Sequence, residues 1–234
     1  MRIKNALDVG CGQGFGTFCL SHHFNVVGVD ANSKNIKIAR DRFPKLDFNV
    51  MDATRLKFGS SSFDFVLLDN VLEHLKSPNL ALKEIKRVLK PGGKTKIVVP
   101  DMRSELFLGH RHPDYAKNIG HQQVFSSGEI ERIMKKIGMK LTGKKFSNFL
   151  TNLEVLIMLN INKNKNNQLD IGDWRKNLWT KVIHVGFWYF KPSILYTPLK
   201  YLPIWIITLP AGFLISIPGN IFLPKSVELT FEKV

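Results

Sequence analysis

Acidic residues are scarce in this chain. Nineteen Asp and Glu stand against 34 Lys and Arg in 234 residues, a net charge of +15. That imbalance excludes a strongly basic partner and favours an anionic one: nucleic acid, an anionic membrane face or an acidic substrate. Cysteine is scarcer still. Cys11 and Cys19 leave no disulfide framework to build, which points to a reducing, cytoplasmic setting. A cleavable leader is not visible, because Met1 to Asn5 runs directly into an apolar segment. The composition of a disordered chain is also missing, since 44% hydrophobic content is that of a globular protein. The length suits one domain with a large embellishment.

What the chain does have begins at Leu7-Asp8-Val9-Gly10-Cys11-Gly12-Gln13-Gly14. Apolar residues up to Val9 read as a short buried strand that enters a glycine turn. Gly10, Gly12 and Gly14 strip the turn of side chains, as a loop touching a ligand through its backbone requires. Asp8 lies one residue inside the strand end, where its carboxylate is expected to face the ligand. Val26 to Val29 reads as a second strand, ending in Asp30. Strand, glycine turn, helix and a strand closed by an acid make a nucleoside-binding half of a doubly wound sheet. A dinucleotide loop starting at Gly10 needs glycine at position 15, and Phe15 stands there.

The G-x-G-x-G spacing with an acid two residues earlier, together with Arg87-Val88-Leu89-Lys90-Pro91-Gly92-Gly93, resembles the class I S-adenosylmethionine-dependent methyltransferases of the type 11 group. The resemblance covers roughly residues 6 to 145. It implies S-adenosyl-L-methionine as cofactor, with Asp8, Gly10, Cys11, Gly12 and Gly14 around the methionine part. Asp30 and Ala31 would meet the ribose, and Asp52 with Ala53 the adenine. Asp69, Asn70, Val71 and His74 would lie near the sulfonium end. The segment Asp69 to Leu75 also has local similarity to ubiquinone-pathway O-methyltransferases, which bind a divalent metal there. Glu73 and His74 match, but Asn70 replaces the first glutamate, and losing a carboxylate weakens a site for a hard cation. No metal is expected.

Patterning supplies the other elements. Phe15–His23 reads as a helix, and Ser33 as the cap of a helix over Lys34–Phe43. Leu46–Val50 and Phe63–Leu68 read as strands. Ser77-Pro78 opens a helix that ends at Pro91-Gly92-Gly93, before a strand at Thr95–Val99. Beyond Pro100-Asp101 comes a loop rich in His110, Arg111, His112, Asp114, Tyr115 and later His121. From it, His121, His112 and Asp101 are the candidates for proton transfer, although aligning a nucleophile with a sulfonium needs no obligatory base. Ser126 and Glu129 have capping-box spacing ahead of Ile130, Ile133, Met134 and Ile137. Met139–Lys145 is a sixth strand. Val227, Leu229 and Phe231 alternate with polar residues as a strand does. The expected fold is an α/β, Rossmann-like, seven-stranded sheet whose last strand, by the resemblance, is antiparallel.

Residues 1–148 then form the methyltransferase core and 225–234 its returning strand, with 149–224 an apolar insertion the family core does not supply. All four tryptophans fall in it, and Tyr201 to Pro224 carries no charge. That run matches the thickness of a bilayer, but Pro203, Pro210 and Pro218 argue against a straight helix. Aromatic residues beside lysines suit a headgroup interface. A lid packed on the core, shallow membrane docking and a true span all remain open. Only five residues precede the first strand, so either the start is truncated or the insertion supplies the lid. The leading expectation is methyl transfer to a lipid, prenyl-linked or other membrane-borne acceptor, by a cytoplasmic protein peripheral at the inner membrane face and held by anionic lipid. The alternatives are a tRNA or RNA methyltransferase, a soluble small-molecule methyltransferase, and an inactive cofactor-binding scaffold.

Overall fold

The computed structural model describes residues 4–111, 120–147 and 226–234. The chain divides into two compact units, one of Met1–Val99, Gln122–Lys145 and Val227–Val234, the other of Pro100–His121 and Phe146–Ser226.

The first unit is organised by a sheet of seven strands: β1 (Asn5–Val9), β2 (Asn25–Asp30), β3 (Asp47–Val50), β4 (Phe63–Asp69), β5 (Leu89–Pro100), β6 (Met139–Ser147) and β7 (Ser226–Lys233). Their order is β3-β2-β1-β4-β5-β7-β6. β1 pairs in parallel with β2 and with β4, β2 with β3, and β4 with β5. β7 is the antiparallel member, as the resemblance implies. Central strands covered on both faces lose the alternation of a half-exposed strand. Thus Ala6, Leu7, Asp8 and Val9 of β1 are buried in an unbroken run, whereas β7 keeps its alternation, with Val227, Leu229 and Phe231 buried and Glu228 and Thr230 half-buried. β7 is tied to its neighbours by a Lys96–Glu228 ion pair at 2.6 Å, by Lys233 Nζ donating to the Leu89 carbonyl at 2.5 Å, and by Thr142 Oγ1 donating to the Thr230 carbonyl at 3.2 Å.

Five described helices accompany these strands: α1 (Phe15–Ser21), α2 (Ser33–Arg42), α3 (Pro78–Val88), α4 (Met102–Arg111) and α5 (Ser127–Lys136). α3 buries Ala81, Leu82, Ile85 and Val88, one apolar stripe at helical spacing. Ser126 Oγ accepts the Glu129 N–H, so the expected cap of α5 forms.

Several expectations need correction. α1 stops at Ser21, with His22 as its C-cap. The cap of α2 is Asn32, whose side chain accepts from the Lys34 N–H, so Ser33 is already helical. β3 starts at Asp47. β5 starts at Leu89 and runs through Pro91-Gly92-Gly93 rather than after it; the register jumps from Phe63↔Leu89 to Phe65↔Lys94, so the extra residues are absorbed as an irregularity of the strand. The segment after Asp101 is helical through Arg111, which places His110 and Arg111 in α4 instead of a loop. No described helix is long and apolar enough to cross a membrane. Residues 149–224, read above as the insertion, lie outside the described residues.

Candidate functional site

The strand order reverses at β1, which has β2 on one side and β4 on the other. Crevices at the carboxyl ends of such strands are where doubly wound sheets bind ligands. Here the Gly10 and Cys11 N–H groups donate to the Val29 carbonyl at 2.7 and 2.9 Å, folding the glycine loop back over β2. Gly10 has φ +72°, and a Cβ there would run into the Val71 methyl groups. Gly14 has φ +88° and lies against Phe48 and Phe43, 2.8 and 3.0 Å from where a Cβ would stand. Both positions therefore exclude a side chain on two counts.

A cavity of about 250 Å³ opens at this point. Val9 and Gly10 come to it from the end of β1, and Asp30 and Ala31 from the end of β2. Met51, Asp52 and Ala53 follow β3; Asn70, Val71, His74 and Leu75 follow β4. Eight of the sequence-predicted cofactor residues meet on one wall or another. Val9, Met51 and Leu75 were not anticipated, being apolar residues with no motif to mark them.

Asp30 is half-buried. Its Oδ2 accepts the Gly12 N–H at 2.9 Å and its Oδ1 the Asn32 N–H at 2.8 Å, so the loop and the carboxylate hold each other. Asp52 is exposed and accepts both the N–H and the hydroxyl of Thr54, at 2.7 and 2.8 Å; these bonds hold its pKa below the usual carboxylate value. Asp69, exposed at the end of β4, accepts from the Asn70 amide at 2.8 Å. Asn70 takes φ +55°, a left-handed turn that asparagine tolerates, before a 3-10 turn over Leu72–His74.

Asp8 departs from expectation. It is buried at 3% exposure and absent from the cavity wall, because its carboxylate Oδ2 accepts the Thr17 hydroxyl at 2.6 Å instead. Burial pushes its pKa up to about 6, against the Thr17 bond, with Asp69 and Asp30 adding to the rise. Cys11, Gly12, Gly14 and Asp69 are likewise absent from the wall. Burial, then Asp8 and Asp30, push the Cys11 thiol up to about 12, so it is no nucleophile. Thr17 is another residue the sequence did not mark, since nothing in a helical threonine announces a partner nine positions back.

In the second unit, His121 Nδ1 donates to Glu105 Oε2 at 2.8 Å, with Glu105 buried. Glu105 was not anticipated; it lies on α4, in the stretch read as loop. Asp101 is buried, and its carboxylate accepts both the N–H and Nε of Arg103 at 3.0 and 2.9 Å. That is the arrangement of a helix cap. His112 lies outside the described residues.

Residues 7–97 match the model of the methyltransferase domain family. A probable S-adenosylmethionine-dependent methyltransferase of Mycolicibacterium smegmatis is 26% identical over 139 residues, 59% of this chain and 52% of that protein. A phthiotriol/phenolphthiotriol dimycocerosates methyltransferase of Mycobacterium tuberculosis is 41% identical over 97 residues, 38% of this chain and 35% of that one. This chain thus spans about half of the first relative's length and about a third of the second's. The solved structure of the PH0226 protein of Pyrococcus horikoshii superposes with a TM-score of 0.54 at 26% identity, covering 63% of this chain and 78% of that one. The donor set in the cavity suits the family's cofactor: Asp30 and Asp52 are acceptors for hydroxyl and amino groups, Met51, Ala53 and Leu75 offer apolar surface to a purine, and Gly10 leaves backbone bare. On its fold, its glycine loop and these matches, residues 7–97 are a methyltransferase domain of the class I S-adenosylmethionine-dependent type.

Proposed function

We propose that this protein transfers a methyl group from S-adenosylmethionine, by direct displacement, to a lipid, prenyl-linked or other membrane-borne acceptor. The transfer rests on one observation above all, the bare backbone of Gly10 lining the same cavity as Asp30 and Asp52. Bound S-adenosylmethionine supplies a methyl carbon made electrophilic by its sulfonium. In this reading Asp30 accepts the ribose hydroxyls and Asp52 the adenine amino group, while the backbone from Gly10 to Gly14 takes the methionine end. Asp8 acts from beneath, fixing α1 through Thr17. Asn70, Val71 and His74 border the cavity on the β4 side. Alignment of the acceptor atom with the methyl carbon is the main demand. A hydroxyl acceptor must also lose a proton, the role for which the sequence offers His121, whose ring is oriented by Glu105 through Nδ1. Asp101 is a helix cap in this scheme.

The acceptor class is supported by two things. One is the tryptophan-rich run 149–224 with its uncharged stretch 201–224, taken as a lid or membrane-docking element. The other is a relative named for dimycocerosate acceptors. Incubating membrane extract and total RNA with labelled cofactor tests the reading: label should enter an organic-soluble product, and label confined to RNA would overturn the acceptor class.

A further inference from the structure

Between α1 and the chain leaving α2 lies a second cavity, of about 390 Å³, that the methyl-transfer site does not use. Phe18 and Phe43 line it as a stacked pair with centroids 4.8 Å apart, joined by Leu46, Arg42 and Lys45. At its border Phe15 meets Phe43 edge-on at 5.6 Å, yet stays 60% exposed. A large aromatic side chain left in water on a helix, beside an apolar groove, is a docking feature when a partner's chemistry matches its rim.

The rim is cationic. Arg42 and Lys45 line it and are exposed, and the stretch from Lys34 to Asp47 that carries them has five Lys and Arg against two Asp. Arg42 is held in place, its Cζ 4.5 Å from the Phe15 ring centre and its Nη1 donating to Gln13 Oε1 at 3.2 Å. Exposed phenylalanine with cations beside it is what the interface of an anionic bilayer takes up. Single-stranded nucleic acid would want open ring faces for stacking, but the guanidinium takes one face of Phe15, and Phe18 and Phe43 stack on each other.

We infer that the groove between α1 and α2, with Phe15, Arg42 and Lys45 at its rim, is the surface by which the methyltransferase core docks on anionic phospholipid. This rests on the membrane-borne acceptor proposed above, and adds to it a place on the core itself. Phe15 directly follows Gly14, so a bilayer seated here lies next to the glycine loop that frames the cofactor cavity.

Partition of the full chain into vesicles of equal parts phosphatidylglycerol and phosphatidylcholine decides it. The double variant Arg42→Gln, Lys45→Gln should lose about 25-fold in partition, roughly fivefold per cation. Phe15→Ser should lose roughly tenfold, with little dependence on salt. Both should keep wild-type affinity for S-adenosylhomocysteine, which certifies their fold. Undiminished partition of both variants overturns this surface while the membrane-borne acceptor stands. Wild-type protein that ignores the vesicles overturns both. A dimer dissociated by Phe15→Ser, or tight RNA binding lost in both variants, would give the groove to another occupant and overturn the inference.

Discussion

Asp8 places a carboxyl group where water scarcely reaches, compensated by a hydrogen bond from the Thr17 hydroxyl. Its pKa rises from an ordinary 3.8 to about 6 on folding. The folded protein therefore holds that proton more firmly than the unfolded chain, so the group favours folding below about pH 4 and loses that contribution as pH climbs through 6. Two units correspond to about 3 kcal/mol at most. Asp8→Asn should accordingly raise the ligand-free melting temperature at pH 8 and leave it nearly unchanged at pH 4; equal shifts at both would refute the account. Asp30 works differently, since it braces the glycine loop and lines the cavity at once. Asp30→Ala should weaken S-adenosylhomocysteine binding tenfold or more by calorimetry, in keeping with about 1.5–3 kcal/mol for hydrogen bonds to a charged group.

At the level of elements, the turn after β1 and the start of the segment after β4 are fitted to one another. Gly10→Ala forces a left-handed alanine and a clash with Val71, at a cost of about 2 kcal/mol or more. Val71→Ala should relieve the clash but not the backbone strain, so a denaturant double-mutant cycle should show about 1 kcal/mol of coupling. Strict additivity would mean the two residues do not meet. These elements were legible because each ends in residues with a local reason to be there: glycine at a turn, Asp30 at a strand end, Ser126 before a helix. The failures have reasons too. Pro91-Gly92-Gly93 reads as a break, but a strand whose neighbour fixes its register carries a bulge through such residues. The histidines around 110 masked a helix, since polar side chains conceal periodicity. The Thr17–Asp8 and His121–Glu105 bonds are made across turns of the fold, where no spacing rule reaches.

On the scale of the whole molecule, the basic excess sits mainly outside the apolar run: residues 151–234 carry nine Lys and Arg against five Asp and Glu. In the proposed function, cofactor binding and acceptor delivery fall to different stretches of chain. Deleting 150–224 should spare S-adenosylhomocysteine binding and abolish turnover on the membrane acceptor; undiminished turnover would show that the run is dispensable. The strand order carries a consequence for synthesis. β7 separates β5 from β6 in the sheet, yet the 78 residues from 148 to 225 stand between β6 and β7 in the chain. At roughly 5–20 residues per second, the ribosome needs about 4–16 s to bridge that gap. Throughout that interval the nascent sheet ends at β5 with an open edge, and β6 waits without a neighbour. The window invites a chaperone, or a premature pairing with another chain, before the last strand closes it.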